Sequence, residues 1–339
     1  MIPLYAHSDI PNRPLPHVNF GLWYDKFCNQ WSTTDSWSFK KDQWIAQAES
    51  FHFVDKELIS SFVQRRIQMI QTLEGRFWVF ETLTPFVTGL GRTHPVENGM
   101  VWDYLLGLPF IPGSSIKGAL MASNRQYFER RYDMTERLTI FDAIPLGPIS
   151  LSGEVMTPHY GPYYQAKDTP GDWFNPTPIP FLTVKEGQRF LFSIVGSPEL
   201  QDRIEEWLEE TLTCTGLGAK TAVAFGRFRR VKSDEERLQR ELEEVLAQKR
   251  QAEQMQALSP LEQELWADGY QDNPERFMQA LTQKWLAKME DEALLENEKV
   301  LIAQKLKDWY MTNKLQEWKK PNKKNQQKIA RIKKILGEI

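Results

Sequence analysis

Two glycine-rich segments, each with a lysine, contain the residues best suited to hold an anion. The first, FIPGSSIKGAL, places Gly113, Ser114, Ser115 and Lys117 at the start of a helical pattern. The N–H groups of a helix start attract negative charge, and serine hydroxyls and a lysine add donors and positive charge. These residue types fit a phosphate cradle, and they also fit an ordinary strand-to-helix turn with a solvated lysine. A nucleotide-triphosphate loop is excluded, because that pattern needs GK[ST] after a four-residue gap.

The second segment, TGLGAKTAVAFGRF, has the same composition later in the chain. Gly216 and Gly218 permit backbone conformations and close approaches that a side chain would block, and Lys220 follows them. The third glycine of the dinucleotide-binding fingerprint is missing. Alternation along the following strand would place Arg227 and Arg229 on one face. The pattern therefore predicts a basic stripe on a sheet, with a solvated sheet face as the alternative.

A third glycine-containing loop, TPFVTGLGRTHPVENG, lies before the first of these segments. Gly89, Gly91 and Arg92 could form a turn that contacts a nucleic-acid backbone. The alternative is that this loop only connects to the next strand, since the same residues would suit that role.

Histidines are the side chains that could serve as acid and base in metal-independent RNA cleavage. Only His94, beside Arg92, and His159, beside Tyr160, have suggestive neighbours. A hydrogen-bonded loop histidine is the simpler interpretation of both. The remaining histidines are His7, His17 and His52. The carboxylates of Asp103, Asp142 and Asp168 are scattered without metal-ligand spacing, so we predict no catalytic residue, no metal and no cofactor.

The elements around these segments predict a mixed sheet-and-helix domain. RFWVFETLTPFVTGL, FLTVKEGQRFLFSIVG and AVAFGRFRRV are rich in β-branched and aromatic residues, which favours strands. Helical patterns begin at IKGALMAS and at SPELQDRIEEWLEETL, where Ser197 is the expected N-cap and Pro198 the first helical residue. The order strand, helix, strand, strand, helix, strand is typical of a split βαβ or RRM-type sheet. The predicted fold class is therefore α+β.

The flanking regions differ from this core. Residues 1–75 are rich in tryptophan and predict a helix over residues 49–74, with apolar positions that include Phe53 and Leu58. After residue 233 strand signals end, and helix starts appear at the capping box of Ser259 and Glu262 and at Asn273. We predict three segments: a tryptophan-rich part packed on the core (1–75), the RRM-like core (76–233) and an all-helical extension (234–339).

Charge is unevenly distributed along the chain. The net charge is −3, which argues against a free-standing nucleic-acid binder. Residues 234–310 carry 18 acidic and 10 basic side chains, whereas residues 311–339 carry 9 basic and 2 acidic ones. The basic last helix predicts either an arm that follows phosphates or a solvated face that balances the acidic helices. No apolar run is long enough to cross a membrane and there are two cysteines, so we expect a soluble cytoplasmic protein without a disulfide framework.

The two glycine-lysine segments together resemble the motifs of the RAMP superfamily of CRISPR proteins. IPGSSIKG, followed later by GLGAKTAVAFGRF, is similar to that family's early PGSSxKG helix start and its late glycine-rich loop before a strand. The segments FDAIP, MTPHY and FLTV between them make the sequence most similar to the sixth subunit of the Cmr complex, the type III-B effector. The resemblance covers residues 76–233. Ala224 stands where the family commonly has glycine, and the helical tail has no counterpart in it.

The resemblance implies a non-catalytic subunit of an RNA-guided complex in an RRM/ferredoxin-like RAMP fold. Its implied partners are the guide CRISPR RNA, the target RNA and the backbone and head subunits of the complex, with no membrane. It would hold the 3′ part of the guide and its target duplex through phosphate and shape contacts, while base pairing reads the sequence. The implied RNA-binding residues are Gly113, Ser114, Ser115, Lys117, Arg92, Gly216, Gly218, Lys220 and Arg227. Two alternatives stay open: an endoribonuclease that processes CRISPR repeat RNA through His94 or His159, and an assembly subunit that does not contact RNA.

Overall fold

The computed structural model describes residues 18–32, 38–51, 55–123 and 138–338. The chain divides into two units, residues 1–243 and residues 244–339. The three predicted segments, with boundaries after residues 75 and 233, remain a prediction.

In the first unit the elements are α1 (Phe20–Lys26), β1 (Trp31–Ser32), β2 (Ser38–Phe39), α2 (Lys41–Glu49), α3 (Lys56–Thr72), β3 (Arg76–Thr82), β4 (Trp102–Asp103), β5 (Leu108–Pro109), α4 (Gly113–Ser123), β6 (Thr139–Ile140), β7 (Ile144–Pro145), β8 (Leu151–Met156), α5 (Gly161–Tyr164), β9 (Ile179–Val184), β10 (Arg189–Val195), α6 (Pro198–Glu210) and β11 (Phe228–Arg230). A π-helical turn (Thr211–Thr215) follows α6, and a 3-10 turn (Thr221–Val223) lies before β11.

The main sheet is antiparallel, with the strand order β11-β3-β10-β6, and β7 also pairs with β10. Both central strands are buried because their neighbours and packed helices cover them: Val79 and Phe80 in β3, and Phe190 and Leu191 in β10, are at most 1% exposed. Phe80 stands opposite Phe190 in the register of the two strands. The chain order β3, α4, β6 and β7, β10, α6, β11 is the predicted RRM-type order, and the α+β fold class is confirmed.

A second antiparallel pair, β8 with β9, forms a hairpin between β7 and β10. Helix α2 packs on this hairpin, where a Cβ on Gly153 would meet the side chain of Ile45. Behind it lies an aromatic cluster that includes the stacked rings of Trp23 and Trp44, 4.2 Å apart. Of the tryptophans in the predicted tryptophan-rich part, Trp23 and Trp44 are buried, Trp31 is half-buried and Trp37 lies outside the described residues.

Two local predictions for the first unit need correction. The helix expected over residues 49–74 begins only at Lys56, where Asp55 accepts a hydrogen bond from the Leu58 N–H, and α2 has already ended at Glu49. Leu58 is 37% exposed, and Phe53 lies outside the described residues. The last strand is shorter than AVAFGRFRRV, because the chain makes a 3-10 turn and a left-handed step at Ala224 before pairing starts at Phe228. By contrast, the predicted start of α6 at Ser197 and Pro198 is confirmed.

Helices make up the regular structure described in the second unit. They are α7 (Lys232–Ala257, which begins in the first unit), α8 (Pro260–Ala267), α9 (Pro274–Ala280), a π-helical turn (Leu281–Trp285), α10 (Leu286–Lys288), α11 (Glu296–Asn313), α12 (Leu315–Lys319) and α13 (Lys323–Ile335). The capping box of Ser259 and Glu262 and the helix start at Asn273 are confirmed. Phe277, Trp285 and Trp309 lie in a core of their own. No helix in the described part of the chain is long and apolar enough to span a membrane.

Candidate nucleic-acid interface

Three separate segments meet around one open groove of about 490 Å³ in the first unit. They are the loop after β3, one face of α4, and the glycine-rich loop after the π-helical turn. The groove is lined by Thr88, Gly89, Leu90, Gly91, Ser115, Ala119, Ala122, Thr215, Gly216, Leu217, Gly218, Ala219 and Thr221. These lining residues are small, hydroxyl-bearing or aliphatic, and none carries a charge. Such a surface can approach a polymer backbone closely and offer it N–H and O–H donors.

Backbone hydrogen bonds fix the glycine-rich loop to the segment that follows β3. The Ala219 N–H donates to the Val87 oxygen at 2.8 Å, and the Gly226 N–H donates to the Pro85 oxygen at 2.9 Å. Gly218 has φ +94°, and a Cβ there would lie 2.5 Å from the Val87 oxygen. Glycine is therefore required at this position both for conformation and for space. The loop is held in one shape before any ligand arrives.

The start of α4 already has an anionic partner within the chain. The Gly113 N–H donates to Asp142 Oδ1 at 2.7 Å, and the Ser115 N–H donates to the Pro112 oxygen at 2.9 Å. The expected attraction of a helix start for negative charge is satisfied by the aspartate of FDAIP. The prediction that this end of α4 presents free N–H groups to a phosphate is therefore wrong at Gly113.

Helix geometry separates the predicted residues of α4. At 100° per residue, Ser115, Ala119 and Ala122 form one face, and this is the face that lines the groove. Lys117 stands about 170° away from the middle of that face and is half-buried. Ser114 is exposed on the outer side. Only Ser115 of the first motif therefore reaches the groove.

Lys220 turns to the β8–β9 hairpin and not into the groove. Its Nζ donates to Met156 Sδ at 3.2 Å and lies 5.3 Å from the centre of the Phe181 ring. Its backbone is left-handed, with φ +62°. Thus MTPHY and FLTV provide the packing partners of the second lysine.

Arg227 supports the glycine-rich loop from behind. Its Nη2 donates to the Thr221 oxygen at 3.4 Å. Its buried Nη1 lies only 2.3 Å from the position that a Cβ on Gly216 would occupy. The Arg227 N–H is bonded to Thr84 Oγ1 at 3.0 Å. The guanidinium thus fills the space that the glycine leaves.

The predicted basic stripe of Arg227 and Arg229 is wrong, because Arg227 precedes β11 and lies under the glycine-rich loop, while a carboxylate pairs with Arg229. Arg229 bonds to Glu81 Oε1 at 2.5 Å, and Arg189 reaches the other oxygen of Glu81 at 3.1 Å. Burial acts to raise the pKa of Glu81, but hydrogen bonds from Arg229 and Arg189 hold this pKa below its usual value. Arg230 is bonded to Glu235 and Glu205. This edge of the sheet is a network of ion pairs.

Arg92 lies on the exposed tip of the loop after β3. It interacts with the Tyr104 hydroxyl, which donates to Asp25 Oδ2 at 2.7 Å. The hydrogen bond to Asp25 is the main cause of the raised pKa of Tyr104, and Arg92 acts against it. Gly89 and Gly91 of the same loop do line the groove, as predicted for a backbone-contacting turn.

His94 is a structural residue of the aromatic cluster. It is 8% exposed and stacks on Tyr24 with ring centres 4.5 Å apart. The Val96 N–H lies 3.2 Å from Nδ1, so Nε2 is the nitrogen that donates to the Tyr24 oxygen, 3.0 Å away. Burial lowers the pKa of His94, which keeps the ring neutral. Both ring nitrogens are thus used inside the fold and the ring is buried, so His94 is not placed to act on RNA, whereas His159 is exposed near the hairpin.

Sequence reasoning missed several groove residues for an identifiable reason. Thr88, Thr215, Ala119 and Ala122 have no chemistry that marks a site, and they meet only through the fold. Asp142 had a signal, since it lies in FDAIP just before a strand, but its bond to Gly113 joins residues 29 positions apart. Among the described residues no group of three or more His, Cys, Asp or Glu side chains could hold a metal ion.

Comparison with known proteins finds a family model that matches the part of the chain with this groove. Residues 79–229 match the RAMP superfamily model. The chain is 28% identical to the CRISPR system Cmr subunit Cmr6 of Pyrococcus furiosus over 248 residues, which covers 51% of this chain and 73% of that protein.

Two solved structures are also similar to this chain. A chain of the type III-B Cmr-beta complex bound to cognate target RNA aligns with 21% identity, a TM-score of 0.46 and coverage of 56% of this chain and 71% of the other. The crystal structure of Cmr6 from Pyrococcus furiosus aligns with 26% identity, a TM-score of 0.31 and coverage of 46% and 97%. The chain is thus similar to the RAMP superfamily over residues 79–229 and to the Cmr6 subunit of the CRISPR Cmr system.

Proposed function

We propose that this chain is a non-catalytic RNA-binding subunit of a type III-B Cmr effector complex. In this role it binds the 3′ part of the guide CRISPR RNA and its duplex with target RNA, beside other Cmr subunits. The observation that carries the proposal is the single groove formed in the RAMP domain by three glycine-containing or small-residue segments. The similarity to Cmr6 supplies the kind of complex.

The lining of the groove favours recognition of shape and backbone over recognition of bases. Thr88, Ser115, Thr215 and Thr221 bring hydroxyls, and the glycines allow close approach of main-chain atoms. Hydroxyls and backbone N–H groups are common partners of phosphate and sugar, which carry no sequence information. Base pairing between guide and target would then read the sequence.

The nine residues that the family resemblance implied have different roles in this proposal. Ser115, Gly216 and Gly218 line the groove and would contact RNA directly. Gly113 and Arg227 shape the two segments, while Lys220 fixes the loop to the hairpin. We infer that Arg92, on the exposed tip of the loop after β3, meets RNA at the rim of the groove, whereas Ser114 and Lys117 stand on other faces of α4 and have no part in this contact.

A pair of neighbouring substitutions on α4 tests the proposal. Ala122→Glu places a carboxylate in the groove, whereas Met121→Glu places one on the neighbouring position, where Met121 is 39% exposed. The chain is purified with its genomic neighbours, and the small RNA that co-purifies is measured. Ala122→Glu should reduce bound RNA at least about tenfold, because a carboxylate in the groove repels phosphate at close range, and Met121→Glu should retain it.

The same preparations separate the alternatives. Intact assembly with unchanged RNA in the Ala122→Glu complex would refute the groove as the RNA site and favour a pure assembly subunit. Loss of other subunits from the Met121→Glu complex would show that this face of α4 is a protein contact. Removal of repeat-RNA processing by His159→Ala would restore the endoribonuclease hypothesis.

A further inference from the structure

A cluster of lysines surrounds the short helix α12 and the start of α13 in the second unit. Lys314 is half-buried, and Lys319, Lys320, Lys323 and Lys324 are exposed. Lys328 follows Lys324 by one helical turn, on the same side of α13. We name these six residues the lysine patch. The patch lies outside the region that matches the RAMP superfamily, since that match ends at residue 229.

Neighbouring carboxylates offset only a small part of the charge of the patch. In residues 311–338 the acidic residues are Glu317 and Glu338. Glu317 accepts a hydrogen bond from the buried side chain of Asn325, and Glu338 pairs with Lys307. Within the described part of the chain no carboxylate oxygen is bonded to Lys319, Lys320 or Lys323 as an ion pair. Positive charge is therefore concentrated here.

Several basic residues elsewhere in this unit are used differently, because carboxylates of other helices pair with them. Lys284 and Lys288 bond to Glu264, Lys305 bonds to Glu262, and Arg331 bonds to Glu290. These pairs stabilise contacts between helices. The exposed ammonium groups of the patch are not used in this way among the described residues, so their charge is available to a partner.

The charges of the patch act on one another. Lys328 donates to Thr282 Oγ1 at 2.8 Å, which holds its ammonium against the unit. Burial is the main cause of the lowered pKa of Lys328, and the charges of Lys314 and Lys324 lower it further, with Glu317 opposing them. Lys314 and Lys324 are thus close enough to Lys328 to repel its charge. An anion bound among them would relieve this repulsion.

We propose that the lysine patch is a second RNA-binding surface, which holds a single-stranded RNA backbone through its phosphates. Ammonium groups act as point charges on phosphate, and several of them along a surface follow a polymer without reading its bases. The exposed residues of α13 between Lys324 and Lys328 offer no aromatic ring for base stacking. The patch is built from residues of the second unit, whereas the groove belongs to the first, so the two surfaces can be tested separately.

The test uses the full chain and a fluorescent single-stranded RNA of mixed sequence, titrated at several NaCl concentrations. The patch variant is Lys320→Gln, Lys323→Gln and Lys324→Gln. The control is Lys249→Gln, Arg250→Gln and Arg276→Gln, which removes the same charge from exposed positions elsewhere in the unit. Both sets keep good helix formers, and circular dichroism checks that each variant is folded.

The patch variant should bind about tenfold or more weakly at low salt. The slope of its affinity against salt concentration should decrease by about two units, because each lysine that binds a phosphate of single-stranded RNA contributes roughly 0.7. The control should match the unaltered chain. A triple Lys→Arg variant at the same positions should retain binding, because phosphate contact needs only the charge.

Three outcomes would overturn the proposal. They are equal RNA affinity in the patch and control variants, an unchanged salt slope in the patch variant, and competition by polyglutamate as strong as by RNA, which would indicate an acidic protein partner. The Ala122→Glu chain distinguishes the two surfaces. Its RNA affinity should keep the salt dependence that the patch provides. The patch variant, by contrast, should retain the guide RNA in the assembled complex.

Discussion

At the scale of single residues, the glycine-rich loop contains two left-handed positions that are not glycine. Lys220 has φ +62° and Ala224 has φ +68°. A left-handed residue with a Cβ costs about 1 kcal/mol or more relative to glycine. Ala224 is the position where the RAMP family commonly has glycine, so the structure gives a physical reason for that family preference.

Ala224→Gly should therefore stabilise the first unit by roughly 0.5–1 kcal/mol, because it removes backbone strain at an exposed residue. Ala222→Gly is the matched control, since Ala222 is also exposed but lies in the 3-10 turn with φ outside the left-handed region. The control should destabilise the unit by a similar amount. Urea unfolding measures both, and stabilisation by the control alone would contradict this account.

His94 predicts a pH effect on stability. Burial lowers its pKa in the folded chain, while the unfolded chain has the ordinary value near 6.5. Below about pH 6.5 the unfolded chain therefore binds more protons than the folded chain, and stability falls as the pH falls. In His94→Gln this loss should be absent. The difference in unfolding free energy between the unaltered chain and His94→Gln should therefore shrink as the pH falls from about 7.5 to 5.5.

The control for this measurement is His159→Gln, at the exposed histidine. A constant difference for His94→Gln would show that the ring does not titrate with unfolding.

At the scale of elements, the start of α4 depends on a residue from another part of the chain. Asp142 comes just after β6 and accepts the Gly113 N–H, and its own main-chain oxygen accepts a hydrogen bond from Arg66 Nη1 at 2.9 Å. The FDAIP segment thus ties α4 and α3 to the strand that it follows. This gives a structural role to a segment that carries part of the family resemblance.

Asp142→Ala should destabilise the first unit by about 1 kcal/mol, the usual effect of losing a helix cap. Thermal unfolding measures the loss. Asp168→Ala provides the comparison, because Asp168 is exposed and its side chain bonds to the adjacent Thr169. If both substitutions lower the melting temperature equally, the cap is not what Asp142 contributes.

Local patterns predicted helix starts well where a capping residue marked them, and strand lengths poorly. The caps at Ser197, Ser259 and Asn273 were correct because a cap needs only residues two or three positions away. The last strand was predicted too long because its pairing depends on β3, which is far away in sequence. Pairing starts only where the loop has finished crossing the Pro85–Val87 segment, and no local residue pattern encodes that point.

At the scale of the whole molecule, the two units have separate cores. Phe277 lies 5.2 Å from Trp309 and 5.0 Å from Tyr270 by ring centres, within the second unit. Phe80 contacts Phe192 at 5.2 Å within the first. Each unit therefore has its own source of apolar stabilisation.

Phe277→Ala should cost the second unit about 3–5 kcal/mol, as large core truncations do. Hydrogen exchange should accelerate in α8 to α13 and remain slow in β3 and β10. Phe80→Ala is the matched variant and should have the reverse effect. Faster exchange in both units from either substitution would show that the chain unfolds as one cooperative body.

The order of the main-sheet elements, the capped helix starts, the family resemblance and the uneven charge could all be inferred from the sequence, because they depend on neighbouring residues or on composition. Which of the predicted residues share a groove depends on the folded chain. It brought Ser115, Gly216 and Gly218 together, turned Lys220 to the hairpin and paired Arg229 with Glu81. The physical reason is that packing between distant segments decides which partner a side chain meets. A lysine or arginine can bind a phosphate only where no carboxylate already pairs with it.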